Sequence, residues 1–343
     1  MSNSAILVTG GAGFIGSHTV VALAEAGYKP VIIDDFSNSR QSVLGGLRQI
    51  LGKDVPCFVR DCNDRAAVLE IFQNENIRGV IHFAAFKAVG ESMEEPLRYY
   101  RNNLGSLMTL MEVMLETGVS DLIFSSSCTV YGEPDTLPVT EQTPVQPAVS
   151  VYGNTKQIGE EILRDTAAAG KPLKIASLRY FNPIGAHPSA HIGELPLGVP
   201  GNLVPYITQT AAGIREQLTV FGNDYPTPDG TCIRDFIHVS DLAEAHVAAL
   251  RLLEQTGTQS HYDIFNIGTG QGNSVLELIR TFEAVSGEPL NYRIGPRRPG
   301  DITAVFADVR KAAALLGWEA RRTLREALAD AWRWQQRCAK LPV

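Results

Sequence analysis

The chain has 343 residues, 44% apolar and 20% charged, with a net charge of −7 at pH 7. That length leaves room for roughly two domains and a sizeable core. The acidic balance speaks against nucleic acid or an anionic membrane surface as partner. No stretch of eighteen or more consecutive apolar residues occurs, so no membrane partner is expected. The start, Met1-Ser2-Asn3-Ser4, enters an apolar run without a basic segment, and no signal peptide is expected. Cys57, Cys62, Cys128, Cys232 and Cys338 are scattered with no C-x-x-C pair, which fits a reduced, cytoplasmic setting.

In chain order, residues 5–9 form a short apolar, partly β-branched run that predicts a buried strand. Glycines at 10, 13 and 16 follow, and helical periodicity covers 17–26. A glycine turn between a strand and a helix lets the backbone approach a pyrophosphate, with the helix N-terminus facing the anion. The second strand, 30–33, ends at Asp34-Asp35, 18 residues past Gly16. An acid there accepts hydrogen bonds from ribose hydroxyls and repels a 2′-phosphate, which favours NAD over NADP. Arg40 lies near enough to keep NADP open.

Strands are expected at 57–60, 79–83, 122–127 and 174–180, with helices at 65–74 and 94–117 between them. Such alternation predicts an α/β fold, a Rossmann-type doubly wound parallel sheet with helices on both faces. After Asn182-Pro183 the chain becomes rich in Gly and Pro, where a smaller mixed α/β domain would begin. The expected division is a cofactor domain over 1–180, rejoined by 235–262, and a substrate domain over 181–343. Helices are expected at 241–253, 274–286 and 324–336, the last carrying Trp332 and Trp334 as packing residues.

Tyr152 stands four residues before Lys156. On a helix they share a face, so the ammonium would favour the phenolate and lower the phenol's pKa toward 7. Such a phenol is a usable general base. Cys128 has no base assigned to it, which points to packing. His187 and His191 have i, i+4 spacing, but Pro188 disfavours a helix there and no further ligand completes a metal site.

Several blocks together carry a resemblance: Gly10 to Gly16, the strand-end serines with Thr129-Val130-Tyr131-Gly132, Tyr152 with Lys156, and Arg179-Tyr180-Phe181-Asn182-Pro183. Phe83 to Ser92, Gly185-Ala186-His187-Pro188-Ser189, Phe221 to Thr227 and Arg234-Asp235-Phe236-Ile237-His238-Val239 extend it. From about residue 4 to 337 the chain resembles the extended short-chain dehydrogenase/reductase family, and within it the UDP-sugar 4-epimerases.

The resemblance implies NAD as a tightly bound cofactor and a UDP-sugar as substrate. Carbon 4 of UDP-glucose or UDP-galactose would be oxidised to a 4-keto sugar, turned and reduced on its other face. Tyr152, Lys156 and Ser127 match the catalytic positions. Gly10, Gly13, Phe14, Ile15, Gly16, Asp34, Asp35, Asn38, Asp61, Cys62, Phe83, Ala84, Ala85, Lys87, Asn102 and Tyr180 match cofactor contacts, with Asp61 toward the adenine. Tyr152 and Lys156 belong to that set as well. Asn182, Asn202, Leu203, Phe221, Arg234, Arg298, Asp301 and Val305 match substrate contacts, joined by Lys87, Ser127 and Tyr152. Two arginines suit a diphosphate because each offers a planar fork of donors. Val305 stands where hexose-restricted members carry tyrosine, so UDP-N-acetylglucosamine is expected to fit too. A homodimer built on the helices over 94–117 and 152–169 is also implied.

The same scaffold could carry a 4,6-dehydratase, but that chemistry uses an Asp-Glu pair after the catalytic Thr, where this chain has Cys128-Thr129. A non-catalytic NAD sensor would typically lack Tyr152 or Lys156.

Overall fold

The first half of the chain alternates strand and helix throughout. In the computed structural model, residues 4–257, 259–298 and 300–339 are described. Strands β1 (Ala5–Thr9), β2 (Lys29–Ile33), β3 (Cys57–Phe58), β4 (Ile77–His82), β5 (Asp121–Ser127) and β6 (Lys174–Tyr180) form this half. Helices α1 (Phe14–Glu25), α2 (Ser42–Leu51), α3 (Arg65–Glu75), α4 (Val89–Glu94), α5 (Pro96–Thr117) and α6 (Val151–Ala168) connect them. The second half adds β7 (Asn182–Ile184), α7 (Leu203–Ala211), β8 (Leu218–Phe221), β9 (Ile233–Arg234), β10 (Phe236–His238), α8 (Val239–Gln255) and β11 (His261–Ile267). It closes with β12 (Asn273–Ser274), α9 (Val275–Ser286), β13 (Tyr292–Gly295), β14 (Ala304–Val305), α10 (Arg310–Leu316) and α11 (Leu324–Cys338).

Seven strands make one parallel sheet in the order β3-β2-β1-β4-β5-β6-β11. Strands β1 and β5 are buried along their whole length, as a sheet covered on both faces requires. On one face α1, α2 and α8 bury Val20, Leu23, Leu47, Leu242 and Leu250. On the other, α3, α5 and α6 bury Val68, Phe72, Leu107, Met111 and Leu163. The strand order reverses between β1 and β4, which opens a crevice at their C-terminal ends. A smaller unit packs above that edge around Ile207, Val220, Phe236, Phe282 and Leu328.

Several expectations need correction. The helix expected over 94–117 begins at Pro96, because Pro96 cannot continue α4, which ends at Glu94, and instead opens α5 at its first turn. Helices α2 and α7 were not expected from the sequence. The chain's return to the first domain also runs past 262. All of β11 joins the large sheet, and Ala312 of α10 and Trp318 lie in the core on the α1/α8 face. The C-terminal helix instead belongs to the smaller unit, where Trp332 meets Phe282 edge-on. Trp334 Nε1 donates to the Glu194 carbonyl at 2.8 Å.

Four histidines sit in these cores with their charged forms disfavoured by burial. His18 and His82 are pushed down to about 3, and His238 and His246 to about 4. An unfolded histidine takes its proton near 6.5. Below that pH the unfolded state binds more protons than the folded state, so stability falls with pH until about pH 4. Each histidine contributes at most about 1.4 kcal/mol per pH unit. Urea midpoints should therefore be flat from pH 8 to 7 and drop steeply from pH 6.5 to 5. A flat profile down to pH 5 would contradict neutral burial of these rings.

Candidate functional site

Local sequence builds the crevice floor. Gly10 has φ +66°, a conformation most side chains avoid, and its N–H donates to the Ile33 carbonyl of β2 at 2.8 Å. A Cβ on Gly16 would lie 2.2 Å from the Gly10 carbonyl oxygen, so the turn closes only around hydrogen. Helix α1 then begins after Gly13 with no side-chain cap. Its first-turn N–H groups point to the crevice and suit a pyrophosphate.

Asp34, at the end of β2, is buried and held by three donors. Ala12 N at 3.0 Å, Phe36 N at 2.9 Å and Ser39 Oγ at 2.8 Å all point to its carboxylate. Burial nevertheless pushes its carboxyl above the usual range. Asp35 binds its own loop through Ser37 N and Oγ. Asp61 does the same through Asn63. All of the residues expected to touch the cofactor line one continuous cavity, from Gly10 and Asp34 past Phe83, Ala84, Ala85 and Lys87 to Tyr152, Lys156 and Tyr180. Phe14, Ile15, Asn38, Cys62 and Asn102 are among its walls. The glycine cradle, the uncapped helix and the fixed Asp34 fit NAD, and that carboxylate disfavours a 2′-phosphate.

Sequence reasoning missed Ser37, Ser39, Arg60, Asn63, Phe86, Ser106 and Ser125, which line the same cavity. Ser39 could have been suspected from the turn-forming Asp34-Asp35-Phe36-Ser37-Asn38-Ser39 stretch. Ser106 and Ser125 carried no local signal.

At the far end of the cavity, Ser150 caps α6 by accepting from Gly153 N at 3.1 Å, which places Tyr152 in the first turn. Ser127 ends β5, and its Oγ accepts from Thr129 N at 3.2 Å and Thr129 Oγ1 at 3.0 Å. The expected fall in the Tyr152 pKa is not what the chain produces. Burial pushes the phenol well above its ordinary value, with Tyr180 and Cys128 adding to the rise, while a hydrogen bond with Ser127 works the other way. Lys156 Nζ lies 5.8 Å from the Tyr152 ring centre and donates to the Ser125 carbonyl at 2.7 Å. Its own charged form is disfavoured by burial, down to about 8. Spacing put the two groups on one face; desolvation, invisible in spacing, outweighs their attraction. Burial also raises the Cys128 thiol to about 12, which leaves it inert.

The remaining expected residues, all from the second half of the chain, do not line this cavity. Arg298 donates to Asp301 Oδ1 at 2.7 Å, Arg234 lies 3.8 Å from the same oxygen, and the Arg298 guanidinium sits 5.8 Å from the exposed Phe221 ring. Asn202 precedes Leu203 at the start of α7 and donates to Glu194 at 2.6 Å. Asn182 Oδ1 is buried with no partner among the described residues. Val305 pairs with Arg234 across β14 and β9, and its side chain is closed in with Val130, Tyr131, Phe181 and Ala307. Among the described residues no group of three or more His, Cys, Asp or Glu side chains is placed to hold a metal, and no helix is long and apolar enough to cross a membrane.

Residues 6–268 match the NAD dependent epimerase/dehydratase family. The chain is 54% identical to a UDP-glucose 4-epimerase of Bacillus subtilis, over 96% of each chain. It is 49% identical to that of Yersinia pestis, over 97% of each. Among solved structures, a UDP-glucose-4-epimerase from Stenotrophomonas maltophila with bound NAD and formylated UDP-arabinopyranose superposes with a TM-score of 0.95. That match has 47% identity and covers 98% of this chain and 99% of the other. A UDP-Glc/GlcNAc 4-epimerase from Campylobacter jejuni gives 0.83 at 36% identity, over 98% of this chain and 100% of the other.

Proposed function

The chain belongs to the NAD dependent epimerase/dehydratase family, and from that premise we propose that it interconverts UDP-glucose and UDP-galactose, inverting carbon 4 through a transient 4-keto sugar. One observation carries the reading: Tyr152 and Lys156 line the far end of the dinucleotide crevice, with Ser127 beside the phenol. NAD, when bound, supplies the acceptor and later the donor of the hydride at carbon 4.

Every other role falls to the chain. Tyr152 Oη removes the 4-hydroxyl proton and returns it. Ser127 Oγ, beside the Tyr152 phenol, holds the reacting oxygen. Lys156 supplies the cation that favours the phenolate and fixes the ribose beside it. Gly10, Gly13 and Gly16 hold the pyrophosphate, and Asp34 the adenosine ribose. Arg234 and Arg298 grip the UDP diphosphate, aligned by Asp301, while Phe221 lies against the uracil. Asn182, Asn202 and Leu203 complete the nucleotide's seat. Holding the nucleotide and not the hexose leaves the keto sugar free to turn, as inversion requires.

From Val305, smaller than the tyrosine of hexose-restricted members and paired with Arg234, we infer that the substrate range extends to UDP-N-acetylglucosamine and UDP-N-acetylgalactosamine. The 36% identity to a relative described as a UDP-Glc/GlcNAc 4-epimerase supports this. The chain also pairs as a two-fold homodimer through α5 and α6. Exposed Leu97 and Met108 on α5 and Met93 on α4 support such a contact.

Incubation of the purified protein with UDP-galactose should give an isomer of equal mass; loss of water would instead indicate a dehydratase. Tyr152→Phe should lower turnover about 10²–10⁴-fold and leave NAD bound. Val305→Tyr should lower turnover of UDP-N-acetylgalactosamine relative to UDP-galactose by about 10–200-fold, and no wild-type turnover of the N-acetyl sugar would sink the wider range. Light scattering should report twice the chain mass; a monomeric mass at micromolar concentration would refute the dimer.

A further inference from the structure

Beneath the acid/base pair lies a buried charged network that the proposed chemistry does not use. Glu160 stands one turn beyond Lys156, so Tyr152, Lys156 and Glu160 form one stripe along α6. Its carboxylate is reached from two strands. Ser126 Oγ of β5 donates to Oε1 at 2.5 Å. Arg179 of β6 forks onto both oxygens, Nε to Oε1 at 2.8 Å and a terminal nitrogen to Oε2 at 2.5 Å. The other terminal nitrogen donates to Tyr131 Oη at 3.1 Å, and Tyr131 donates to Asn266 at 2.6 Å. Glu160, Arg179, Ser126, Tyr131 and Asn266 are all buried. An ion pair this deep loses its solvation, and a well-packed apolar pair often serves stability as well or better.

We propose that Glu160 is the positioning residue of the acid/base pair: held by Arg179 and Ser126, its carboxylate fixes α6 against β5 and β6 and keeps the Lys156 ammonium charged. Three elements meet at this one carboxylate. They are the three that carry Tyr152 and Lys156, Ser127, and Tyr180. A shift of any one would misplace the phenol relative to Ser127.

The charges around Lys156 support the electrostatic half. On its own helix it faces Tyr152 and Glu160. From β4 comes His82, kept neutral by burial. From β5 come the Ser125 carbonyl and the Phe124 ring face at 5.0 Å. From β6 come Tyr180, which lines the same cavity, and Arg179, behind the Glu160 carboxylate. Among these groups Glu160 is the carboxylate, and it opposes the burial that draws Lys156 down to about 8.

The inference rests on the proposed epimerase activity, so its test has a readout that needs no turnover. Lysine labelled at Cε is titrated by NMR in the whole protein, the Lys156 signal being assigned by its loss in Lys156→Arg. Turnover of UDP-galactose is followed across pH alongside. Wild type and Glu160→Asp should titrate alike. In Glu160→Gln, Lys156 should titrate about one pH unit lower, and in Glu160→Gln/Arg179→Met the fall should be smaller, because the guanidinium leaves with the carboxylate. The alkaline limb of kcat/KM should move down with it. The double variant removes both buried charges, which guards against a single variant too unstable to measure. A Glu160→Gln variant that folds and keeps the wild-type Lys156 titration overturns the proposal, as does a folded double variant with the wild-type kcat. So does one that cannot be recovered folded, because the pair would then serve folding itself. Absent turnover in the wild type would defeat the epimerase reading and leave the titration to decide this one.

Discussion

The site depends on one geometric constraint, the two-residue alternation of side chains along β5. Three consecutive serines end that strand, and the pleat sends them to opposite faces. Ser126 turns toward Glu160 under α6. Ser125 hydrogen-bonds the Tyr180 hydroxyl, and Ser127 faces Thr129 and the Tyr152 phenol. Helix α6 answers with its own period, presenting Tyr152, Lys156 and Glu160 every four residues on the face that meets β5. A slip of one residue in β5 would exchange the two faces and place Ser126 where Ser127 stands. The parallel register with β4 and β6 prevents that slip, because Leu122 and Phe124 must enter one core while Ile123 enters the other.

A second constraint attaches the smaller unit. Asp235 lies between β9 and β10 and is fully buried, yet it accepts from Thr269 N and Oγ1, Gly270 N and Ala307 N. Four donors from two distant segments converge on one carboxylate, which offsets the cost of burying it. Gly268 allows that approach, since a Cβ there would lie 2.4 Å from the Asp235 carboxylate. The neighbouring Arg234 is thereby fixed beside Asp301, and Val305 beside Arg234. The arginine cluster is thus held on the same scaffold as Ser127, through the apolar seam of Val130, Tyr131, Val139 and Phe181.

Legibility followed how local each signal was. The first strand and the sixth match the sequence expectation residue for residue, because each is a run of five to seven residues set by local pattern. The glycine turn and Asp34 were legible because their spacing is set by one βαβ unit. Helix α2 was missed because its paired Gly45 and Gly46 weaken the helical pattern, and because Gly46 exists for tertiary packing. A Cβ there would strike the His191 carbonyl from the second half of the chain. The extent of the return through β11, α10 and Trp318 was hidden for a similar reason. Nothing in the composition of 310–318 says which of two cores it enters. For the Tyr152–Lys156 pair, spacing gave the shared face, but the sign of the pKa shift depends on burial, which only the packed structure fixes.

That sign has a mechanistic consequence. A phenol raised by burial holds its proton, and alone it is a poor base at neutral pH. Positive charge must be brought beside it to reverse the balance. The chain offers Lys156, whose own charge is marginal near pH 8, so a carboxylate one turn away matters more than it would at the surface. NAD, when bound in its oxidised form, would bring a second positive charge beside the phenol. Proton removal by Tyr152 is then favoured when an oxidised acceptor is at hand, and return of the proton is favoured once that charge is gone. A solvent-exposed tyrosine, whose pKa responds weakly to neighbouring charge, could not be switched this way. The burial that raises the phenol is what makes it responsive.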